Sequence, residues 1–557
     1  MQRNLHKLTT DLFDVLVIGG GITGACIAHD AALRGLSVAL IEKDDFGGCT
    51  SSASSKLLHG GIRYLPKGQV WKVRESAREQ AIFQHLAPHL TSWLPFLIPT
   101  DKSSVTKGRF AMRAAMQVYR LCCAGLSRLI HDTGKKIPSA RFLSPQSVLT
   151  KIPMLSSLKG LSGAQVLYES HMYSSERMTL AFVKTAVANG ARAANYLLVR
   201  QLITDGNRVT GIRVQDRLTD EEFEIKSRLI INSAGPFVQQ VNASVPALKL
   251  QHPLTGFSRG VHLVTRQVEP EFALALMSAK KTEGLITRGG RHFFIIPWRG
   301  SSLIGTTNVP LSGSLEDIRV TQKDITDFLD DINGALPDLK LEVKDVRYAF
   351  TGIYPLIAEQ VKSDTYQGTG EYQIIDHRQK EGIDGIMTAL GAKFTTARKV
   401  AEQAVDLAMK KLDKDDPGSA TVTTQLVEGK LADINKHYQH CRARYSKILD
   451  NDTVNHLIRY HGREAEQLIK DGAENNLLDK ITPDRNTLEI EVDYAVRHEM
   501  ACTLEDIVFR RTGLGTIGFP GNEAIERCAE IMGNLLNWDN QEKLRQIAIV
   551  AARYRYE

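Results

Sequence analysis

Long apolar runs are missing from this 557-residue chain. No stretch reaches the about eighteen uninterrupted apolar residues of a bilayer-crossing helix, so no span is expected. The opening residues, MQRNLHKLTTDLFD, lack the apolar core of a secretory leader, which argues against export. Cysteine is scarce: Cys26, Cys49, Cys122, Cys123, Cys441, Cys502 and Cys528 are dispersed with no C-x-x-C spacing. That pattern excludes a disulfide framework, points to reduced thiols in a cytoplasmic setting, and offers no zinc site, so no metal is expected. Aromatic residues make up 7% and are thin in the most basic stretch, and no nucleic-acid module is recognisable, so nucleic acid is not an expected partner. What remains, 43% hydrophobic and 24% charged residues, is ordinary for a globular chain of two or three domains.

Against these absences one stretch stands out, DVLVIGGGITGACIAHDAALRGLSVALIEKDDFGGCTSSASSKLLHGGIRY, from Asp14 to Tyr64. Val15 to Ile18 reads as a strand buried on both faces. Gly19, Gly21 and Gly24 then take the G-x-G-x-x-G spacing of a pyrophosphate-binding turn, with Gly20, Ile22 and Thr23 between them. A helix from about Thr23 to Leu33 would aim its free N–H groups at the diphosphate. The strand Ser37 to Ile41 follows and ends on Glu42, placed to take both ribose hydroxyls, where an arginine would suggest NADP. This predicts a dinucleotide cradle without separating NAD from FAD. Cys49 beside it is expected as a small buried residue.

The next residues, TSSASSKLLHGGIRYL from Thr50, supply hydroxyls and amides suited to a larger nucleotide. This run resembles the FAD-dependent glycerol-3-phosphate dehydrogenases, a resemblance that extends over nearly the full length. It implies an α/β fold: a Rossmann-like FAD domain interleaved with a mixed-sheet substrate (cap) domain, followed by an all-helical C-terminal domain. The corresponding division is residues 1–415, with FAD segments about 12–65, 160–240 and 385–412 and cap segments about 66–159 and 241–384, then 416–557. The implied cofactor is FAD. Its implied contacts add Thr50, Ser51, Ser52, Lys56, Leu57, His59 and Gly60, Val199, the strand end at Ala234-Gly235, and Gly391, Lys393 and Thr395 of ALGAKFTT.

The implied reaction takes the C2 hydrogen of sn-glycerol 3-phosphate to flavin N5 as hydride, yields dihydroxyacetone phosphate, and passes electrons to membrane quinone. His262 in RGVHLV matches the family's base, Arg63 and Tyr64 its substrate-facing pair, and Lys393 a lysine at the flavin. The substrate half of the pattern departs from the family. GIYPL puts Tyr354 where a phosphate arginine is expected, QGTGEY (367–372) holds no cation, G-T-T-D has become GTTN with Asn308, and D-D-A-R has become Ser174-Ser175-Glu176-Arg177. A phosphate dianion loses roughly 1.5–3 kcal/mol with each charge-assisted hydrogen bond removed; Arg63, Arg291 or Lys393 would have to compensate. Two alternatives therefore stand beside the first reading: a same-fold dehydrogenase or oxidase of another polyol, hydroxy acid or phosphorylated alcohol, and a flavin-binding subunit without turnover of its own.

Elsewhere, helices are expected at Val70 to His89 and from about Glu176 to Ala188, and strands at Asn195 to Leu202 and Arg208 to Val214 as a hairpin. Gly256 to Thr265, Arg291 to Arg299 and Leu303 to Val309 are expected in the substrate-side sheet. Residues 101–141 hold nine Lys or Arg against two Asp, a local excess equal to the chain's net +7. Phe110, Met112, Met116, Tyr119, Cys123, Leu126 and Ile130 form an apolar stripe among these cations. A basic amphipathic helix of this kind (about 107–130) suits an anionic membrane surface on the inner face of the cytoplasmic membrane, and equally a helix packed on its own domain. KLDKDDPGSA (411–420) reads as a linker, and Thr503, Asp506 and Gly513 as the cap and stop of a C-terminal helix. A homodimer is a further candidate assembly.

Overall fold

The computed structural model describes residues 1–102, 108–248, 256–278, 292–311, 314–315, 318–356, 372–391 and 393–557. Arg291, Ala392 and most of the QGTGEY stretch lie outside them, as does the side chain of Arg63.

The buried apolar run at the start of the chain becomes the strand Leu12–Ile18 at the centre of the first sheet. It pairs in parallel with Val38–Ile41 on one side and Glu222–Asn232 on the other, and Ile386–Leu390 continues the parallel set. Val15, Leu16 and Val17 are wholly buried because helices cover one face and a β-hairpin the other. The helices Ile22–Leu33, Ser175–Ala188 and Ala397–Leu412 pack together over the first face. The hairpin Leu197–Asp205/Arg208–Asp216 attaches along Glu222–Asn232, so its first strand begins and ends later than the sequence suggests.

The second sheet, ten-stranded among the described residues, is mixed. Its long strands Thr91–Asp101 and Leu161–Met172 run antiparallel, and Gly256–Thr265 lies between Ser301–Gly305 and Val346–Leu356. Thr50, between the two sheets in sequence, donates its Oγ1 to Ile353 O at 2.6 Å and ties the nucleotide loop to this sheet.

The C-terminal part is helical, from Ile434–Tyr445 to Asn540–Ala552. The segment carrying Thr503 and Asp506 forms half of the expected cap: Asp506 Oδ2 accepts from Cys502 N and Thr503 N at 2.8 and 3.0 Å, while the Thr503 hydroxyl donates to Asp506 Oδ1 and caps no backbone amide among the described residues. It winds as a π-helix over Asp506–Arg511, which brings Arg510 and Arg511 together onto the buried Asp45 at 2.6–2.7 Å. A second buried network joins Arg177 to Glu499 and Glu428 at 2.6 and 2.8 Å. The charged linker is likewise tied down, Lys414 to Asp14 at 2.7 Å and Asp416 to Arg34 at 3.0 Å.

The basic stripe divides. The helix Arg109–Cys123 buries Met116 and Tyr119, and Leu126 and Ile130 are buried beyond the Gly125 turn, whereas Phe110 is 70% and Leu121 73% exposed. The helix beginning at Val70 ends at Leu86.

Candidate functional site

Gly19 sits at φ +103°, and a Cβ there would meet Ser233 O at 2.7 Å; this position needs glycine for its turn and for the neighbouring strand end. Gly24 serves packing: a Cβ would lie 1.9 Å from Gly19 O, so the helix could not approach the strand. Gly20 is sealed behind the turn, its N–H donating to Glu42 Oε2 at 2.7 Å. Glu42 Oε1 accepts from Asp44 N at 2.9 Å, and desolvation pushes the Glu42 pKa up to about 7. Ile22 N donates to Ser51 Oγ at 2.9 Å.

These groups open onto a cavity of about 370 Å³. Gly19, Gly21, Ile22, Thr23 and Glu42 form its floor, Thr50 and Ser51 one wall, Val199, Ala234 and Gly235 another, and Gly391 and Lys393 its far end. Twelve of the sequence-assigned contacts thus converge from four separate chain segments. Gly391 has no room for a side chain, since a Cβ would stand 2.4 Å from Thr23 Oγ1.

The remaining assigned residues stand elsewhere. Ser52 and Lys56 line an adjoining, larger cleft of about 760 Å³, with Trp298, Phe350 and Arg510 among its other walls. Lys56 is 1% exposed and bound on three sides, by Glu176 Oε1 at 2.6 Å, Ser52 O at 2.7 Å and Ser175 Oγ at 2.9 Å. Its ammonium is thus committed to the protein. Leu57 is core; His59 N donates to Thr395 Oγ1 at 3.1 Å and fastens the second sheet's edge strand to the turn after Gly391, while Gly60 N donates to Glu169 Oε2 at 2.6 Å within that sheet. Cys49, expected buried, is exposed and borders both cavities, because Gly48 and the following 3₁₀ turn hold it at the rim.

Arg63 and Tyr64 fall in a 3₁₀ turn opened by Gly61 at φ +79°. The Lys393 ammonium stands 4.3 Å from the centroid of the Tyr64 ring, so two of the sequence-assigned catalytic groups meet. His262 is buried, and its place follows from strand register: it lies directly opposite Phe350 on one neighbour and Gly305 on the other. The rings of His262 and Phe350 stack at 5.1 Å and 7°, and a Cβ on Gly305 would be 2.1 Å from His262 Cδ2. Nε2 shares a 2.9 Å hydrogen bond with Ser55 Oγ, next in chain to the cavity-lining Ser54, while Nδ1 has no protein partner. Desolvation, aided by the charge of Lys56, lowers the His262 pKa to about 3, so the imidazole is neutral in the ligand-free site, and a role as base requires negative charge on the bound substrate to raise it. Ser55 is invisible as a site residue within a serine run; only its tertiary contact with His262 reveals it.

Tyr354 also faces the cavity. Its hydroxyl donates to Asn308 Oδ1, which accepts from Ser258 Oγ as well. The two sequence departures thus form one uncharged cluster. The altered Ser174–Arg177 run is a buried junction: Ser174 caps its helix, Glu176 holds Lys56, and Arg177 grips the C-terminal helices.

The cavity's glycine turn, its helix N-terminus with Ser51 beside the first amide, and the carboxylate of Glu42 at the next strand end suit an FAD diphosphate and ribose. Comparison with known proteins agrees. The family model described as FAD dependent oxidoreductase matches residues 14–406, and that described as the C-terminal domain of alpha-glycerophosphate oxidase matches residues 419–543. The glycerol-3-phosphate dehydrogenase of Synechocystis sp. is 33% identical over 559 residues, covering 98% of this chain and 97% of the relative. The human mitochondrial glycerol-3-phosphate dehydrogenase is 32% identical, covering 98% of this chain and 74% of the relative. Among solved structures, the Bacillus halodurans glycerol-3-phosphate dehydrogenase complexed with FAD superposes with a TM-score of 0.78 at 27% identity, covering 98% and 95% of the two chains. This chain therefore belongs to the FAD-dependent oxidoreductase family and, within it, to the glycerol-3-phosphate dehydrogenases, with FAD as its cofactor.

Proposed function

We propose that the protein oxidises sn-glycerol 3-phosphate to dihydroxyacetone phosphate and hands the electrons to a membrane quinone. The observation carrying this reading is the cavity where the glycine turn, Glu42, Ser51, Ala234 and Lys393 converge, with His262 hydrogen-bonded to Ser55, next in chain to the lining residue Ser54. When bound, the flavin accepts the C2 hydride at N5. The protein's part is the proton and the position: His262 takes the C2 hydroxyl proton, Phe350 and Gly305 fix its ring plane, and Lys393 with Tyr64 bounds the substrate side. Arg63 is assigned to the substrate phosphate or its C2 oxygen on the resemblance of the GGIRY run. Domain division near residue 415 accompanies this reading, supported by family-model matches on either side of it.

Anaerobic mixing of the yellow holoprotein with glycerol 3-phosphate tests it: rapid bleaching of the flavin band is expected, and His262→Ala should retain FAD while bleaching far more slowly. Unchanged kinetics in that variant would remove the histidine from the mechanism.

The uncharged Ser258–Asn308–Tyr354 cluster favours a second reading, in which another alcohol replaces the phosphorylated one. Bleaching by a polyol or hydroxy acid, with none by glycerol 3-phosphate, is its signature. Bleaching by no donor would leave a flavin-binding subunit.

Electron transfer to quinone requires approach to a membrane. None of the described helices is long and apolar enough to cross one, so the contact proposed is peripheral. Phe110, Val118 and Leu121 are exposed on the helix that also carries Arg113 and Arg120, a face suited to an anionic bilayer surface. Charge reversal at Arg113, Arg120 and Arg128 should abolish sedimentation with anionic vesicles. Homodimerisation is a separate proposal, open to sedimentation velocity.

A further inference from the structure

Two groups of His, Cys and carboxylate side chains come within reach of a single ion among the described residues, and they differ in kind. In the first, Glu428, His461 and Glu499 are all buried, but the cationic place is filled: Lys184 reaches Glu428 and Glu499 at 2.5 and 3.1 Å, and Arg177 reaches the same pair at 2.8 and 2.6 Å. An added ion would have to expel two buried cations.

The second group lies in the C-terminal helices, far along the chain from the flavin segments. His437 and Cys441 occupy i and i+4 of the helix Ile434–Tyr445, and His440 stands at i+3, so all share one face. Glu466 faces them from the first turn of the helix Ala465–Asn475. Cys441 Sγ is 3.7 Å from His437 Nε2, His440 Nε2 is 3.7 Å from Glu466 Oε2, and one ligand atom each from His437, Cys441 and Glu466 lie within 4.8 Å of one another. Tetrahedral zinc, with bonds of about 2.0–2.3 Å, sets its ligand atoms about 3.3–3.6 Å apart. Small side-chain rotations close that difference. The cation now at Glu466 is Arg444, at 3.5 Å with its side chain 51% exposed, so water can take it up when the carboxylate turns.

We propose that His437, Cys441 and Glu466, with His440 as fourth donor, form a zinc-type metal site that clamps these two helices together. The donor set selects the ion: a thiolate and imidazoles favour Zn²⁺ over Mg²⁺ or Ca²⁺, which take all-oxygen ligands. On binding, Cys441 gives up its thiol proton to solvent as the S–metal bond forms, with no change in oxidation state. Sequence reading excludes a zinc site for want of C-x-x-C spacing; here a single cysteine is completed by histidines one helical turn away and a carboxylate from another helix.

Holoprotein stripped with a chelator and desalted is titrated with Co²⁺, whose tetrahedral ligand-field bands lie to the red of flavin absorption, and with Zn²⁺ in competition with a chromophoric chelator. One equivalent should bind with tetrahedral bands, and Zn²⁺ should raise the unfolding temperature. Cys441→Ser and His437→Ala should each weaken binding by at least the roughly 100-fold that loss of an outer-shell partner can cost, with FAD content and circular dichroism unchanged, while Cys123→Ser binds as wild type. Absence of stoichiometric binding overturns the proposal, as does binding that survives both ligand substitutions. If Cys441→Ser perturbs the fold, the His440→Ala/Glu466→Gln pair supplies the same comparison.

Discussion

Lys56→Met separates a cofactor ligand from a buried structural cation. In the sequence Lys56 lies inside the run most characteristic of flavin binding; in the structure its ammonium is enclosed by Glu176, Ser175 and Ser52 at 2.6–2.9 Å. Methionine keeps the stem and removes the charge, leaving the Glu176 side chain, 7% exposed, with its carboxylate unpaired. Breaking one side of such a pair costs about 3–5 kcal/mol, whereas removing both charges is often close to neutral. The burial that lowers the Lys56 pKa argues the same way: desolvation opposes its charge, and Glu176 offsets it. Lys56→Met should therefore lower the unfolding temperature sharply, and Lys56→Met/Glu176→Gln should recover much of the loss, a coupling of opposite sign to the single effects. Scanning fluorimetry on FAD-saturated protein, with FAD affinity measured in parallel, decides it. A stable Lys56→Met protein that has lost FAD affinity would refute the structural assignment.

Three further outcomes follow from the same geometry. Ribose hydroxyls donating to Glu42 favour its carboxylate form, so FAD affinity should rise up to about tenfold per pH unit until the ligand-free pKa near 7 is passed, then level off; a Glu42→Gln protein should bind weakly and without this slope, as fluorescence titration of apoprotein would show. Buried His29 and His171 have pKa values lowered by desolvation to about 3 and about 4, so the unfolded chain binds more protons below the ordinary histidine value; stability should fall by up to about 1.4 kcal/mol per pH unit for each as pH drops from about 6.5 towards those values, and an unaltered slope in His29→Leu would contradict this. Gly305→Ala drives a methyl into the His262 ring, costing about 1–3 kcal/mol of packing, and should slow flavin reduction while FAD stays bound, read by stopped-flow bleaching.

The first fifty residues declared the nucleotide cradle because its elements are local: an apolar strand, glycines at fixed offsets and a terminal acid are contiguous, and short-range sterics dictate their geometry. His262 was legible by resemblance, yet what holds its ring was not. Its partners Ser55, Gly305 and Phe350 lie some 40 to 210 positions away in the chain; the register of three strands brings Gly305 and Phe350 to it, and the loop before the second sheet's edge strand brings Ser55. Lys56 shows the reverse: sequence proximity suggested a ligand, and a partner 120 residues distant claimed its charge. The sequence by itself determined that FAD has a place here and roughly where each segment turns. Tertiary structure alone decided which cations the protein itself claims, as with Lys56, because a buried charge is governed by whichever opposite charge the fold brings within hydrogen-bonding distance.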